Sequence, residues 1–269
     1  MLTDRQLTVL VVYFVGVDLA WAERNPTGVA VVDSSGVLRH VSVAGADDDI
    51  LGQLQPYVGG SCVVAVDAPL VVVNASGNRP CEAALNRDFR RFDAGAHPAN
   101  TGLAWFADGG RGARLCRALA LELDPYEPAR RRALEVYPHA ASVALFGLPK
   151  TLKYKQKPGR DIASMRSQLL RLVTFLEDLR TADPAVDVGP CPAWHELKEA
   201  VAQAERKSQL RRAEDPVDAV LCAYIARFAH ERPGDVTVYG DVDSGCIVTP
   251  TLTGLAGVTS RTLTSRSAH

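Results

Sequence analysis

Five acids carry the chemistry most readable in this chain: Asp18, Asp67, Glu135, Asp215 and Asp218. Carboxylate oxygens suit hard divalent cations such as Mg²⁺ or Mn²⁺, which keep several of their waters. Two such ions, roughly 3.5–4 Å apart, can clamp the attacking and leaving oxygens of a phosphodiester. That chemistry needs three or four acids brought together from distant parts of a chain. Asp18 and Asp67 each end an apolar, β-branched run, residues 9–17 and 62–66. Asp215 and Asp218 are three apart and so share a helical face. Asp18, Asp67 and Asp218 are the expected metal ligands, and Asp215 and Glu135 the further catalytic acids. Plainer roles compete. Asp215 before Pro216 reads as a helix cap, with Asp218 in the favourable first turn. Glu135 also reads as an exposed acid on an edge strand.

Basic residues cluster between them. Residues 79–160 carry a net charge of +7 and the rest of the chain −8, which together make the overall −1. Arg79, Arg91, His97, Lys150, Lys153 and Lys155 are the expected phosphate-contacting groups, DNA or RNA being undetermined. A solvated basic loop is the competing reading. Trp21 and Trp105 suit either base stacking or anchoring of the core. The six cysteines show no zinc spacing, and Cys62 and Cys222 read as small core residues of a reducing, cytoplasmic compartment.

The elements that must position these groups follow from hydrophobic pattern. Residues 9–17, 28–33 and 37–43 read as strands, 47–57 as a helix capped by Asp47, and 62–66 as a strand. The order is β-β-β-α-β. Ligands gather at the carboxyl ends of strands in α/β sheets. If the first and fourth of these strands are parallel neighbours, Asp18 and Asp67 sit side by side. Residues 70–130 read as an irregular, partly helical insertion with helical patterns at 81–91 and 111–123. A short strand, 133–137, ends at Pro138. Residues 162–179 form a helix whose apolar stripe reads as core, or alternatively as a homodimer seam. Residues 195–209 and 216–230 read as helices, 236–239 and 246–248 as a hairpin, and 255–269 as a flexible tail. The whole, 1–269, reads as a single domain.

These motifs carry a resemblance. The β-β-β-α-β order, with Asp18 and Asp67 on strands and Asp215/Asp218 on a late helix, is similar to the RNase H-like fold, in its resolvase branch. Gly16-Val17-Asp18-Leu19-Ala20-Trp21, Val66-Asp67-Ala68-Pro69, Arg79-Pro80-Cys81-Glu82, Glu135-Val136-Tyr137-Pro138 and Asp215-Pro216-Val217-Asp218-Ala219 resemble the "domain of unknown function 429" family over about residues 13–248. The resemblance implies a mixed sheet flanked by helices, with a basic insertion and a C-terminal hairpin. It also implies a metal-dependent nuclease, a hydrolase of ester bonds. Two alternatives remain: a non-catalytic nucleic-acid or ligand-binding module on the same fold, and an ATP-dependent phosphotransferase. The latter rests on Gly16-Val17-Asp18-Leu19 and Thr27-Gly28, which faintly resemble a phosphate loop of the actin/sugar-kinase fold.

Composition excludes other classes. An apolar content of 47% is enough for a packed core and argues against disorder. No stretch reaches the roughly 18 apolar residues of a membrane span. The first apolar run lacks a basic leader and reads as a buried strand rather than a signal peptide.

Overall fold

The computed structural model describes residues 11–22, 25–253 and 263. Five strands form one mixed sheet: β1 (Val12–Asp18), β2 (Thr27–Val32), β3 (Leu38–Ala44), β4 (Ser61–Val66) and β5 (Arg131–Glu135), in the order β3-β2-β1-β4-β5. The first three are antiparallel, whereas β4 and β5 run parallel to β1. This is the RNase H-like β-β-β-α-β core, with α1 (Asp47–Val58) as the crossover before β4. A hairpin of β6 (Val236–Asp241) and β7 (Gly245–Pro250) joins the β5 side through a Val136–Val248 bridge.

The unbroken apolar runs of β1 and β4 are explained by cover on both faces. Alternation sends Val15, Val17, Val64 and Val66 into one core layer, with Ile50 and Leu54 of α1 and Leu115 of α3 (Gly110–Ala118). Phe14, Val63 and Ala65 enter the other layer, under α7 (Lys207–Glu231). Helices α4 (Pro138–Phe146), α5 (Ile162–Asp178) and α6 (Pro192–Ala202) complete that second layer, and α2 (Pro80–Phe89) packs against the hairpin. The apolar stripe of α5, from Met165 to Leu176, is buried in this layer within the chain. It is therefore not free to serve as a dimer seam.

Several expectations need correction. Pro216 does not open a helix: α7 begins nine residues earlier and carries Pro216 inside it. Asp215 is thus not an N-cap, and the proline leaves the Arg212 carbonyl without its usual helical donor. The helix expected over 195–209 instead ends at Ala202, before α7 starts at Lys207. Pro138 does more than stop a strand. It opens α4, an unanticipated helix, because a proline at the first helical position forfeits no hydrogen bond. Asp47 does not cap α1, whose N-cap is Ala46; its carboxylate instead meets Arg111 Nε at 2.6 Å. Residues 9 and 10 and all but one residue of the expected tail lie outside the described residues. The described cysteines are free thiols, and all but Cys246 are buried. Among the described residues no helix is long and apolar enough to cross a membrane.

Candidate active site

The site begins with strand register. Val17 of β1 pairs with Val66 of β4 in parallel, and the Asp67 N–H donates to the Val17 carbonyl at 2.8 Å, extending the ladder by one step. Asp18 and Asp67 are therefore lateral neighbours at the carboxyl edge of the sheet. Both follow the alternation of Phe14, Val63 and Ala65 and face α7.

Two glycines bring α7 down onto that edge. A Cβ on Gly16 would stand 1.9 Å from the Ala219 carbonyl oxygen, and one on Gly28 would stand 2.0 Å from that of Asp215. Only hydrogen fits at either position, so the helix backbone lies directly on β1 and β2. Gly28 is also the cross-strand partner of Asp18. This close approach sets Asp215 and Asp218 beside Asp18.

Lys155 ties the acids together. Its Nζ lies 2.6 Å from Asp218 Oδ2, 3.3 Å from Asp18 Oδ2 and 3.8 Å from Asp215 Oδ1. Tyr154 Oη donates to the other Asp218 oxygen at 2.6 Å. Asp67 has no basic partner within ion-pair distance among the described residues. Burial pushes Asp18 and Asp67 well above the usual carboxylate range, against the pull of Lys155; repulsion from Asp218 and Asp215 adds to the rise of Asp18, and repulsion from Asp18 to that of Asp67. Burial likewise raises Asp215 to about 7. Glu214 also rises to about 7, and its buried Oε2 has no hydrogen-bond partner.

The acids open into a cavity of about 400 Å³ lined by Asp18, Asp67, Trp21, His97, His139, Lys153, Lys155, Lys157 and Arg160, among others. His139 is neutral near pH 7, since burial lowers it to about 4, and its Nδ1 meets Thr151 Oγ1 at 3.1 Å. His97 is exposed at the rim. Lys150 and Lys153 converge on the exposed Asp93 at 3.5 and 3.0 Å, and Lys150 Nζ donates to the Arg91 carbonyl. The Arg91 guanidinium covers the Phe92 ring at 4.7 Å. These cations form a solvent-facing border beside the cavity. Trp21 is shared between this cavity and a second groove of about 910 Å³ that includes the half-exposed Trp105.

Two expected site residues are tied into the core beside Asp67. Arg79 is only 1% exposed, and both its sides are bound. Its Nε meets Glu82 Oε1 at 2.8 Å, and its terminal nitrogens meet the Glu135 oxygens at 2.5 and 2.9 Å. The expectation that Arg79 contacts a phosphate backbone is thus corrected: it has no exposed donor to offer. Glu135 continues the Ala133 side of β5, away from α7, and accepts from the Leu70 N–H as well as from Arg79. Its carboxylate is spoken for within the core. Glu82 in turn accepts from the Ala99 N–H, stapling the loop that carries His97. Arg79, Glu82 and Glu135 do not line this cavity; with Asp67 and His97 they line a smaller one of about 60 Å³ next to it.

A family described as "Protein of unknown function (DUF429)" matches residues 16–244. The chain belongs to this family. Its DUF429 segment runs from Gly16, under α7, to Ser244 in the turn between β6 and β7, and so contains all four clustered aspartates and Lys155. Comparison with curated proteins finds no match, and neither does comparison with solved structures.

Among the described residues no group of three or more His, Cys, Asp or Glu is arranged to hold a metal by itself. The donor set is nevertheless all hard oxygen, and the Lys155 ammonium shows that a cation is accommodated among these carboxylates. Mg²⁺ commonly takes one or two carboxylates plus waters and substrate phosphate oxygens. Asp18 and Asp67, which face the cavity, suit that arrangement.

Proposed function

We propose that this protein is a divalent-metal-dependent nuclease, hydrolysing phosphodiester bonds of nucleic acid with Mg²⁺ or Mn²⁺. The supporting observation is the convergence of Asp18, Asp67, Asp215 and Asp218 at one sheet edge, beside a cavity bordered by Lys153, Lys157 and Arg160. Acids so close repel one another unless a cation joins them. Asp18 and Asp67 would hold the ion, which when bound polarises the phosphate and activates water. Lys153, Lys157 and Arg160 would hold the strand by its phosphates. His139, neutral and fixed by Thr151, would offer a hydrogen bond in the cavity wall. Trp21 would give a base beside the reacting phosphate an aromatic face.

A second reading has one observation of its own. Lys155 already neutralises part of the acidic cluster, which suits a non-catalytic binding module that needs no metal. The phosphotransferase alternative draws less support, since Asp243-Ser244-Gly245, the Asp-x-Gly nearest the end of the chain, lies in the β6–β7 turn. Cleavage of labelled DNA and RNA with and without Mn²⁺, beside Asp18→Asn, separates these readings. A nuclease loses activity with the metal or with the carboxylate. A binding module cuts nothing and binds nucleic acid equally well in both forms.

A further inference from the structure

Lys155 holds a position that a metal ion would otherwise take. Its ammonium touches Asp218, Asp18 and Asp215, with Asp218 closest at 2.6 Å. An ion coordinated by the same oxygens would stand at about 2.1 Å from them and so overlap the ammonium. The side chain is not a loose arm. Its neighbours Leu152 and Tyr154 are buried, and Tyr154 is pinned to Asp218 through its hydroxyl. Asp218 therefore has both oxygens engaged inside the protein. Asp67, by contrast, has no ammonium partner among the described residues and faces the cavity together with Asp18.

We propose that Lys155 is a resident cation filling one of two cation positions in the carboxylate site, so that the protein takes a single divalent ion, on Asp18 and Asp67. This rests on the metal-dependent reading above. The ammonium balances the Asp215/Asp218 side of the cluster, and the divalent ion balances the Asp18/Asp67 side. Removing the ammonium while keeping the acids frees the first position for a second ion.

Calorimetric titration of Mn²⁺ into the metal-stripped full chain tests this directly. The wild type is expected to bind one ion per chain. Lys155→Met, which keeps the stem and removes the charge, is expected to bind two. Lys155→Arg, which keeps the charge, stays at one. Without metal, Lys155→Met should melt below the wild type, and Mn²⁺ should raise its melting temperature more. Lys155→Gln serves where the methionine variant does not fold. Two ions in the wild type would overturn the inference by themselves. So would one ion in both the wild type and the neutral variants, while leaving the metal-dependent reading intact. No binding by any form would overturn that reading, and this inference with it.

Discussion

Gly16 on β1 meets Ala219 on α7 so closely that an added Cβ would stand 1.9 Å from the Ala219 carbonyl oxygen. The contact is backbone against backbone, so no flexible side chain can yield. It locates α7 on the sheet, and with it the two acids of that helix. Gly16→Ala must push the helix away. We expect a loss of about 3 kcal/mol or more in stability, at the upper end of overpacking effects. Urea denaturation gives that number, and Mn²⁺ affinity should fall with it. A variant as stable as the wild type would show that α7 is not held there.

Arg79 makes a structural prediction with a clear sign. Removing it strands Glu82 and Glu135 in the core without their partner. Breaking a buried pair in this way costs about 3–5 kcal/mol. Arg79→Ala should therefore lower the denaturation midpoint sharply. In the fraction that remains folded, nucleic-acid affinity should be unchanged. A stable variant with weakened binding would return Arg79 to the phosphate-contacting group.

The raised acids give the metal-free protein an unusual pH dependence. Asp215 and Glu214 sit at about 7 when folded, above their ordinary values of 3.8 and 4.5. The folded state thus holds more protons than the unfolded chain between those values and 7, and stability falls as pH rises through that window. The stabilising contribution is complete below about pH 4 and gone above about pH 7. Thermal melts of the stripped protein should decline from about pH 5 to about pH 8. Mn²⁺ held by Asp18 and Asp67 should favour the deprotonated forms of the neighbouring acids and reduce the decline. A metal-free protein that gains stability over this range would contradict the placement of these acids.

Trp105 offers the cavity's neighbouring groove an exposed ring, 46% accessible. Base stacking on such a ring is worth about 1–3 kcal/mol per base. Trp105→Ala should weaken binding of a single-stranded oligonucleotide by roughly tenfold or more while leaving the melting temperature nearly unchanged. Fluorescence anisotropy measures the first and a thermal melt the second. Unchanged affinity would remove the groove from the nucleic-acid path.

The legible part of the site was the part set by local pattern. Asp18 and Asp67 could be paired because two apolar, β-branched runs end in the same residue type, and such runs are strands buried on both faces. Asp215 and Asp218 were legible as a pair, but through the wrong geometry. Pro216 signals a helix start far more often than a helix interior, and only the floor made by Gly28 shows why α7 continues through it. The Arg79–Glu135 pairing was not legible, since 56 residues separate partners that meet only after the sheet has closed. Lys155 was visible as one cation in a basic loop. That it meets the acids is set by contacts with Asp18 and Asp218, which lie far from it in the sequence. The alternation from 152 to 155 groups Lys155 with Lys153, so it carries no signal that Lys155 meets the buried Asp218 while Lys153 meets the exposed Asp93.

The central claim is that these acids support metal-dependent cleavage of nucleic acid. The most direct measurement is Mn²⁺-dependent hydrolysis of end-labelled single- and double-stranded DNA and RNA by the wild type and Asp67→Asn, purified side by side. The account predicts cleavage of at least one of these substrates, abolished by chelation and reduced about 100-fold or more by the substitution. Cleavage that is equal in Asp67→Asn, or no cleavage of any substrate by a wild-type protein shown to bind Mn²⁺, would contradict it.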